Sequence, residues 1–241
     1  MREWSWNMIK AVIFDLDDTL TPELQYVESG YRHVASVLEE LILSVRGEAV
    51  LTKEEIFTRL MLLFRENNKR VFNRLFESYH LKFELMDVQA LVEEYRNHEP
   101  DIFYYKEVKE VLLQLRQKKM KLGIITDGPA IAQKKKLEAL EAFQDFDKII
   151  VTDELGRDYW KPNGKSFQLM ARDLGVDYRE MVYVGDNPEK DFYIQKIYPI
   201  HTVRVEREEG VYKNSLYLEG VREMYKISSL DKLPGLLSHM E

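Results

Sequence analysis

Ile9-Lys10-Ala11-Val12-Ile13-Phe14-Asp15-Leu16-Asp17-Asp18-Thr19 is the stretch from which the rest of the chain is read. Its first part is a short apolar run rich in β-branched residues, which suits a strand buried on both faces. The run stops at Asp15, and Asp17 and Asp18 follow almost at once. Such a cluster repels itself and continues a strand poorly. A hard divalent cation with oxygen ligands is the natural offset. Taken alone, Asp and Thr at these positions suit a turn with a helix cap equally well.

The same signature recurs downstream. Leu122–Ile125 runs into Thr126, Ile149–Val151 into Thr152, and Met181–Val184 into Gly185; His201–Val205 and Tyr225–Ile227 follow. Helical stripes separate most of these runs. Val108, Val111, Leu112 and Leu115 form one, and Phe167, Met170, Ala171 and Leu174 another; Ile131–Leu140 and Leu230–Leu237 are also helical in character. Strands alternating with helices predict an α/β fold, a Rossmann-like parallel sheet core with helices on both faces. Such sheets carry their chemistry at the C-terminal ends of the strands.

Residues 21–100 have a different texture. Leu38, Leu41, Ile42 and Val45 lie at helical spacing, as do Phe57, Leu60, Met61 and Phe64; Val71, Phe72, Leu75 and Phe76; and Val88, Leu91, Val92 and Tyr95. Gly47 and Pro100 punctuate the segment. It is too long for a loop. The expected organisation is a core of residues 1–20 and 101–241, interrupted by an all-helical domain at 21–100.

Composition removes several classes of function. The chain has 241 residues, 45% of them hydrophobic and 32% charged, with a formal net charge of -7. This mildly acidic balance gives no general attraction to nucleic acid or to an anionic membrane. No apolar run approaches the roughly 18 residues of a membrane span, and Met1–Asn7 lacks the apolar core of a leader. Cysteine is absent, which excludes disulfides, thiolate metal sites and a cysteine nucleophile. A cytoplasmic location is expected, as a monomer or homodimer.

Three further motifs stand at the strand ends. In Thr126-Asp127-Gly128-Pro129, Thr126 offers a hydroxyl donor, Gly128 lets backbone approach a ligand, and Pro129 suits a helix start that can hold an oxyanion. Lys161-Pro162 fixes a lysine at a constrained point. Gly185-Asp186-Asn187-Pro188-Glu189-Lys190-Asp191 repeats the acid-after-strand logic, with Asp191 able to turn back toward Asp186. Each alone passes for ordinary turn chemistry; a parallel sheet brings all four to one edge.

Asp15-x-Asp17-x-Thr19, then Thr126, then Lys161, then Gly185-Asp186 and Asp191 resembles, in order and spacing, the four motifs of the haloacid dehalogenase superfamily. The resemblance covers Ile9 to about Val205, and the helical insert matches the family's helical cap. It implies a phosphatase acting on a small soluble phosphate ester. Asp15 would be the nucleophile. Asp17 would be the general acid and base, protonated at the outset. Thr126 and Lys161 would hold the transferring phosphoryl group, with the backbone N–H groups of Leu16, Asp17, Asp127 and Gly128 as its cradle. Mg2+ would be bound by Asp15, Asp186 and the backbone carbonyl of Asp17, and Asp191 would orient Lys161 or the metal's waters. The Asp18 carboxylate is expected to point away from the reacting groups. Relatives often carry Asn-Gly where this chain has Asp127-Gly128, which adds a negative charge near the phosphate.

Within the same resemblance, a haloacid dehalogenase is opposed by the acid at Asp17, since a halide leaves without a proton. A phosphonate hydrolase would need a Schiff-base lysine in the insert, for which Lys53 and Lys69 are candidates. A phospho-accepting signalling switch is opposed by the length of the chain and by the helical insert. In the insert, Arg59, Arg65, Lys69, Arg70 and Arg74 are expected to form a solvated face, Tyr26 and Tyr31 to be packed, and His80 and His98 to lie at the surface.

Overall fold

The computed structural model describes residues 8–46 and 51–240, with no side-chain description for 44–46. Met1–Asn7 and Gly47 lie outside them. The chain divides into two compact units, residues 1–23 with 103–241, and residues 24–102.

The first unit begins with β1 (Ala11–Phe14), every residue of which is buried. The second unit holds the rest of α1 (Glu23–Arg46), then α2 (Lys53–Glu66), α3 (Val71–Ser78) and α4 (Leu85–Asn97). The N-terminus of α2 is fixed by a capping box. The Thr52 hydroxyl accepts from the Glu55 amide, and the Glu55 carboxylate accepts from the Thr52 amide. The predicted stripes meet in one core, with Val34 and Leu38 of α1, Leu60 and Met61 of α2, Phe72 and Leu75 of α3, and Leu91 of α4. Tyr31 is part of that core, and Tyr26 packs edge-on against Tyr95. His98 departs from its expected surface position. It is buried, with Nδ1 2.7 Å from the Tyr95 carbonyl and Nε2 3.1 Å from Ser29 Oγ. A histidine with both ring nitrogens partnered can be enclosed without an unsatisfied polar group.

The chain returns to the first unit through α5 (Val108–Gln117), β2 (Lys121–Thr126), α6 (Ala130–Ala139), α7 (Ala142–Asp145), β3 (Lys148–Val151), α8 (Lys165–Leu174), β4 (Met181–Gly185), α9 (Ile194–Ile197), β5 (His201–Val205), β6 (Tyr225–Ile227) and α10 (Leu233–Leu237). The strands form one six-stranded sheet in the order β3-β2-β1-β4-β5-β6. All five pairings are parallel. The period of two along a strand sends alternate residues to opposite faces. Ala11 and Ile13 of β1, with Ile125, Ile150 and Tyr183, pack on Phe167, Met170 and Ala171 of α8. Val12 and Phe14 point the other way, where α5 packs on β2 through its buried Val111, Leu112 and Leu115. Both faces of the sheet are thereby covered, as a parallel sheet requires. β1 lies inside the sheet, and its end is flanked by those of β2 and β4.

Candidate functional site

Asp15 follows the last residue of β1, and its amide extends the ladder by donating to the Val184 carbonyl at 2.8 Å. Thr126 is the last residue of β2, and Asp186 follows the last residue of β4. Their positions follow from the register, in which Phe14 pairs with both Ile124 and Val184.

Lys161 stands between these ends. Its ammonium is 2.8 Å from Asp15 Oδ1 and 2.9 Å from Asp191 Oδ1, and it donates to the Tyr183 hydroxyl at 2.8 Å and the Ile125 carbonyl at 3.4 Å. Burial alone would depress its pKa; the charges of Asp15 and Asp191 override this and hold it above the ordinary lysine value. The Lys161-Pro162 peptide is cis.

Asp191 is heavily engaged as an acceptor. Oδ1 also accepts from the Tyr183 hydroxyl at 3.0 Å, and Oδ2 accepts from the Asn187 amide at 2.9 Å. Gly185 leaves room for it. A Cβ there would stand 2.5 Å from Asp191 Oδ2 and 2.7 Å from its Cγ.

Asp15, Asp186 and Asp191 present carboxylate oxygens within 4.8 Å of one another, all buried. Burial pushes the Asp15 carboxyl up to about 6, against the opposing charge of Lys161. Asp186 is driven well above the usual carboxylate range by burial, and then by Asp191 and Asp15. Among the described residues no group donates a hydrogen bond to Asp186. An enclosed, unpaired carboxylate beside two others fits a hard cation with oxygen ligands, so the donor set suits the expected magnesium ion. Asp15 and Asp186 are less committed to protein donors than Asp191, whose two oxygens already accept from Lys161, Tyr183 and the Asn187 amide.

The Asp17 carboxylate faces α6. Lys136 Nζ lies 2.6 Å from its Oδ1, and Gln133 Nε2 donates to its Oδ2 at 3.0 Å. Gln133 also donates to Thr126 Oγ1. These two residues, three apart on one helix face, were not singled out in the sequence. The only trace is a polar, basic helix following Thr126-Asp127-Gly128. α6 begins with the Ala130 amide donating to Asp153 Oδ2 at 2.9 Å, and Gly128 has φ of 133°, a conformation open to glycine.

Asp127 is buried and heavily partnered. Its Oδ1 accepts from Thr152 Oγ1 at 2.7 Å and from the Lys161 amide at 3.1 Å, and its Oδ2 lies 3.2 Å from Lys190 Nζ. Burial opposes ionisation here, but the charges of Lys161 and Lys190 and these donors hold the carboxyl below its ordinary value. The extra negative charge noted at this position is therefore balanced within the site.

Asp18 has φ of 50° and gives its two oxygens to backbone amides, Oδ1 to Glu23 at 2.9 Å and Oδ2 to Val211 at 2.8 Å. Behind it, the Arg207 guanidinium donates to the Thr19 carbonyl at 2.8 Å and pairs with Glu107 at 2.6 Å. Leu16 is buried. The motif-one loop is thus fixed on its far side by residues from after β5.

Residues 9–192 match the haloacid dehalogenase-like hydrolase family. Over 206 residues the chain is 36% identical to the glyceraldehyde 3-phosphate phosphatase of Methanopyrus kandleri, a match covering 83% of this chain and 85% of that one. The glyceraldehyde 3-phosphate phosphatase of Methanocaldococcus jannaschii is 28% identical over 235 residues, covering 97% and 99%. Among solved structures, a HAD phosphatase from Thermococcus onnurineus superposes with a TM-score of 0.61 at 26% identity, covering 95% of this chain and 98% of that one. The family match spans β1 to β4 and the strand ends at which the acids, Thr126 and Lys161 gather, and the chain belongs to the haloacid dehalogenase-like hydrolase family.

Proposed function

We propose that this phosphatase hydrolyses the monoester of a small phosphorylated metabolite, of the triose phosphate class, through a phosphoryl group carried on Asp15. The observation that carries the reading is the Asp15–Lys161–Asp191 arrangement beside the unpaired Asp186. It combines a held carboxylate, a buried cation and a second carboxylate with no protein donor among the described residues. The names of the relatives supply the three-carbon substrate class.

An Asp15 oxygen attacks phosphorus, and the bond from phosphorus to the ester oxygen breaks. Asp17, after taking up a proton from solvent in place of one of its contacts with Lys136 and Gln133, gives that proton to the departing alkoxide. Asp17 then takes a proton from water, whose oxygen attacks phosphorus and releases the Asp15 carboxylate. Lys161 holds Asp15 Oδ1 throughout and offsets its charge. Asp15, Asp186 and the Asp17 carbonyl would hold Mg2+, which when bound neutralises charge between carboxylate and phosphoryl oxygens. Thr126 and the backbone amides of Leu16, Asp17, Asp127 and Gly128 would orient the phosphoryl oxygens. Residues 24–102 are proposed as the cap that selects the leaving group.

Hydrolysis of p-nitrophenyl phosphate, with and without Mg2+, tests this in wild type and Asp15→Asn. Metal-dependent release that vanishes in the variant is expected. Full activity in Asp15→Asn removes the proposed nucleophile. Turnover of glyceraldehyde 3-phosphate no better than that of unrelated sugar phosphates removes the substrate class.

A further inference from the structure

Lys161 cannot serve every anion at this edge. An ammonium has three N–H bonds, and the acceptors around Lys161 are Asp15, Asp191, the Tyr183 hydroxyl and the Ile125 carbonyl. Its side chain is 0% exposed. No proton remains for an incoming oxyanion unless one of these contacts is given up.

Lys190 differs on each count. Its side chain is 24% exposed, and among the described residues its ammonium has one acceptor, Asp127 Oδ2 at 3.2 Å. At least one N–H bond is left without a protein acceptor. Burial and the nearby Lys161 charge work against its ionisation, and Asp15, Asp127 and Asp191 outweigh them. Its charge also acts on Asp186 and Glu23. It is therefore a cation near the nucleophile that still has donors to offer.

Asp127 explains how Lys190 is kept there. Oδ1 is committed to the Thr152 hydroxyl and the Lys161 amide, and only Oδ2 faces Lys190. Asparagine could accept on the first side, but would then turn an NH2 group toward the ammonium. An acid at 127 can accept on both sides, so Asp127 and Lys190 form a matched pair.

We propose that Lys190, anchored by Asp127, is a second phosphate-binding cation of this site, taking a phosphoryl oxygen directly while Lys161 remains on Asp15. The inference rests on the phosphatase reading. Calorimetric titration of orthophosphate into the Mg2+-loaded protein provides the binding readout, with steady-state KM and kcat for p-nitrophenyl phosphate beside it. Lys190→Met should weaken orthophosphate binding by about tenfold or more, the loss of one charge-assisted contact, and should raise KM more than it lowers kcat. Lys190→Arg should recover most of the binding.

A loss in Lys190→Met could also come from the Asp127 charge left behind. The double variant Asp127→Asn with Lys190→Met removes both charges and should remain weak. Restored orthophosphate binding in the double variant overturns the proposal, because Lys190 would then serve only to balance Asp127. Unchanged binding in Lys190→Met also overturns it, while leaving the phosphatase reading intact if wild type still turns over the ester. Absence of metal-dependent turnover in wild type removes that reading and the proposal with it.

Discussion

Lys136 Nζ lies 2.6 Å from Asp17 Oδ1, joining the helix that follows motif two to the acid of motif one. Both belong to the same unit, and the lysine is buried. Gln133 completes the clamp on the other oxygen. Both oxygens of the carboxylate proposed as the general acid are thus held in place by one helix.

Lys136→Met should therefore impair catalysis through Asp17 without removing it. A misplaced catalytic group can cost about 100-fold, and the loss should be greatest for alkyl phosphates, whose leaving groups need the proton. Steady-state kcat for a triose phosphate and for p-nitrophenyl phosphate checks this. Equal losses on both would count against Asp17 as the group affected.

Lys161→Met should destabilise the fold as well as abolish turnover. It would leave Asp15 and Asp191 enclosed without their cation, an arrangement that costs about 3–5 kcal/mol. Urea denaturation of the chelator-treated protein reads the difference. A midpoint unchanged from wild type would mean that the two acids take up protons at no cost.

Gly185→Ala tests the packing behind Asp191. The new Cβ would meet Asp191 Oδ2 at 2.5 Å, so the carboxylate must shift away from Lys161 and Tyr183. Overpacking of this kind costs about 1–3 kcal/mol. Activity should fall with Mg2+ affinity largely retained, since Asp15 and Asp186 are untouched. Loss of Mg2+ binding, measured by calorimetry, would instead make Asp191 a direct ligand.

Burial, then the charge of Asp17, pushes Glu23 from its ordinary 4.5 up to about 7. The folded state then binds the proton more tightly than the unfolded chain does. Its stabilising contribution is full below about pH 4.5 and is lost as pH rises through about 7. Glu23→Gln should leave the melting temperature in chelator unchanged near pH 4 and raise it at pH 8, where the gain in stability should be about 3 kcal/mol. A uniform shift across that range would contradict the titration.

The strands were legible because they are buried on both faces, which writes them as unbroken apolar runs. His201–Val205 and Tyr225–Ile227 occupy the expected positions, and the first four expected runs differ from their strands only at the ends. The motif residues converge because register places strand ends side by side. Gln133, Lys136 and Tyr183 were not legible. Lys136 is one of three consecutive lysines, and only the phase of α6 on the sheet selects it. Tyr183 sits within a strand, where an aromatic reads as core, and only the fold brings its hydroxyl to Lys161 and Asp191. A histidine between polar residues reads as a surface residue, and nothing in the sequence around His98 signals the Ser29 and Tyr95 partners that enclose it.

The order β3-β2-β1-β4-β5-β6 also bears on the making of the protein. β1 is synthesised first, but its neighbours begin at Lys121 and Met181. A ribosome must therefore deliver the whole of residues 24–102, whose helices share a core of their own, before Asp15 has any flanking strand. It must go on to Asp191 before Lys161 has both of its carboxylates. Each nascent chain thus carries an apolar strand with acids at its end and no strand beside it until β2 has been made, and gathers the residues proposed to cleave a phosphate ester only after β4 is complete.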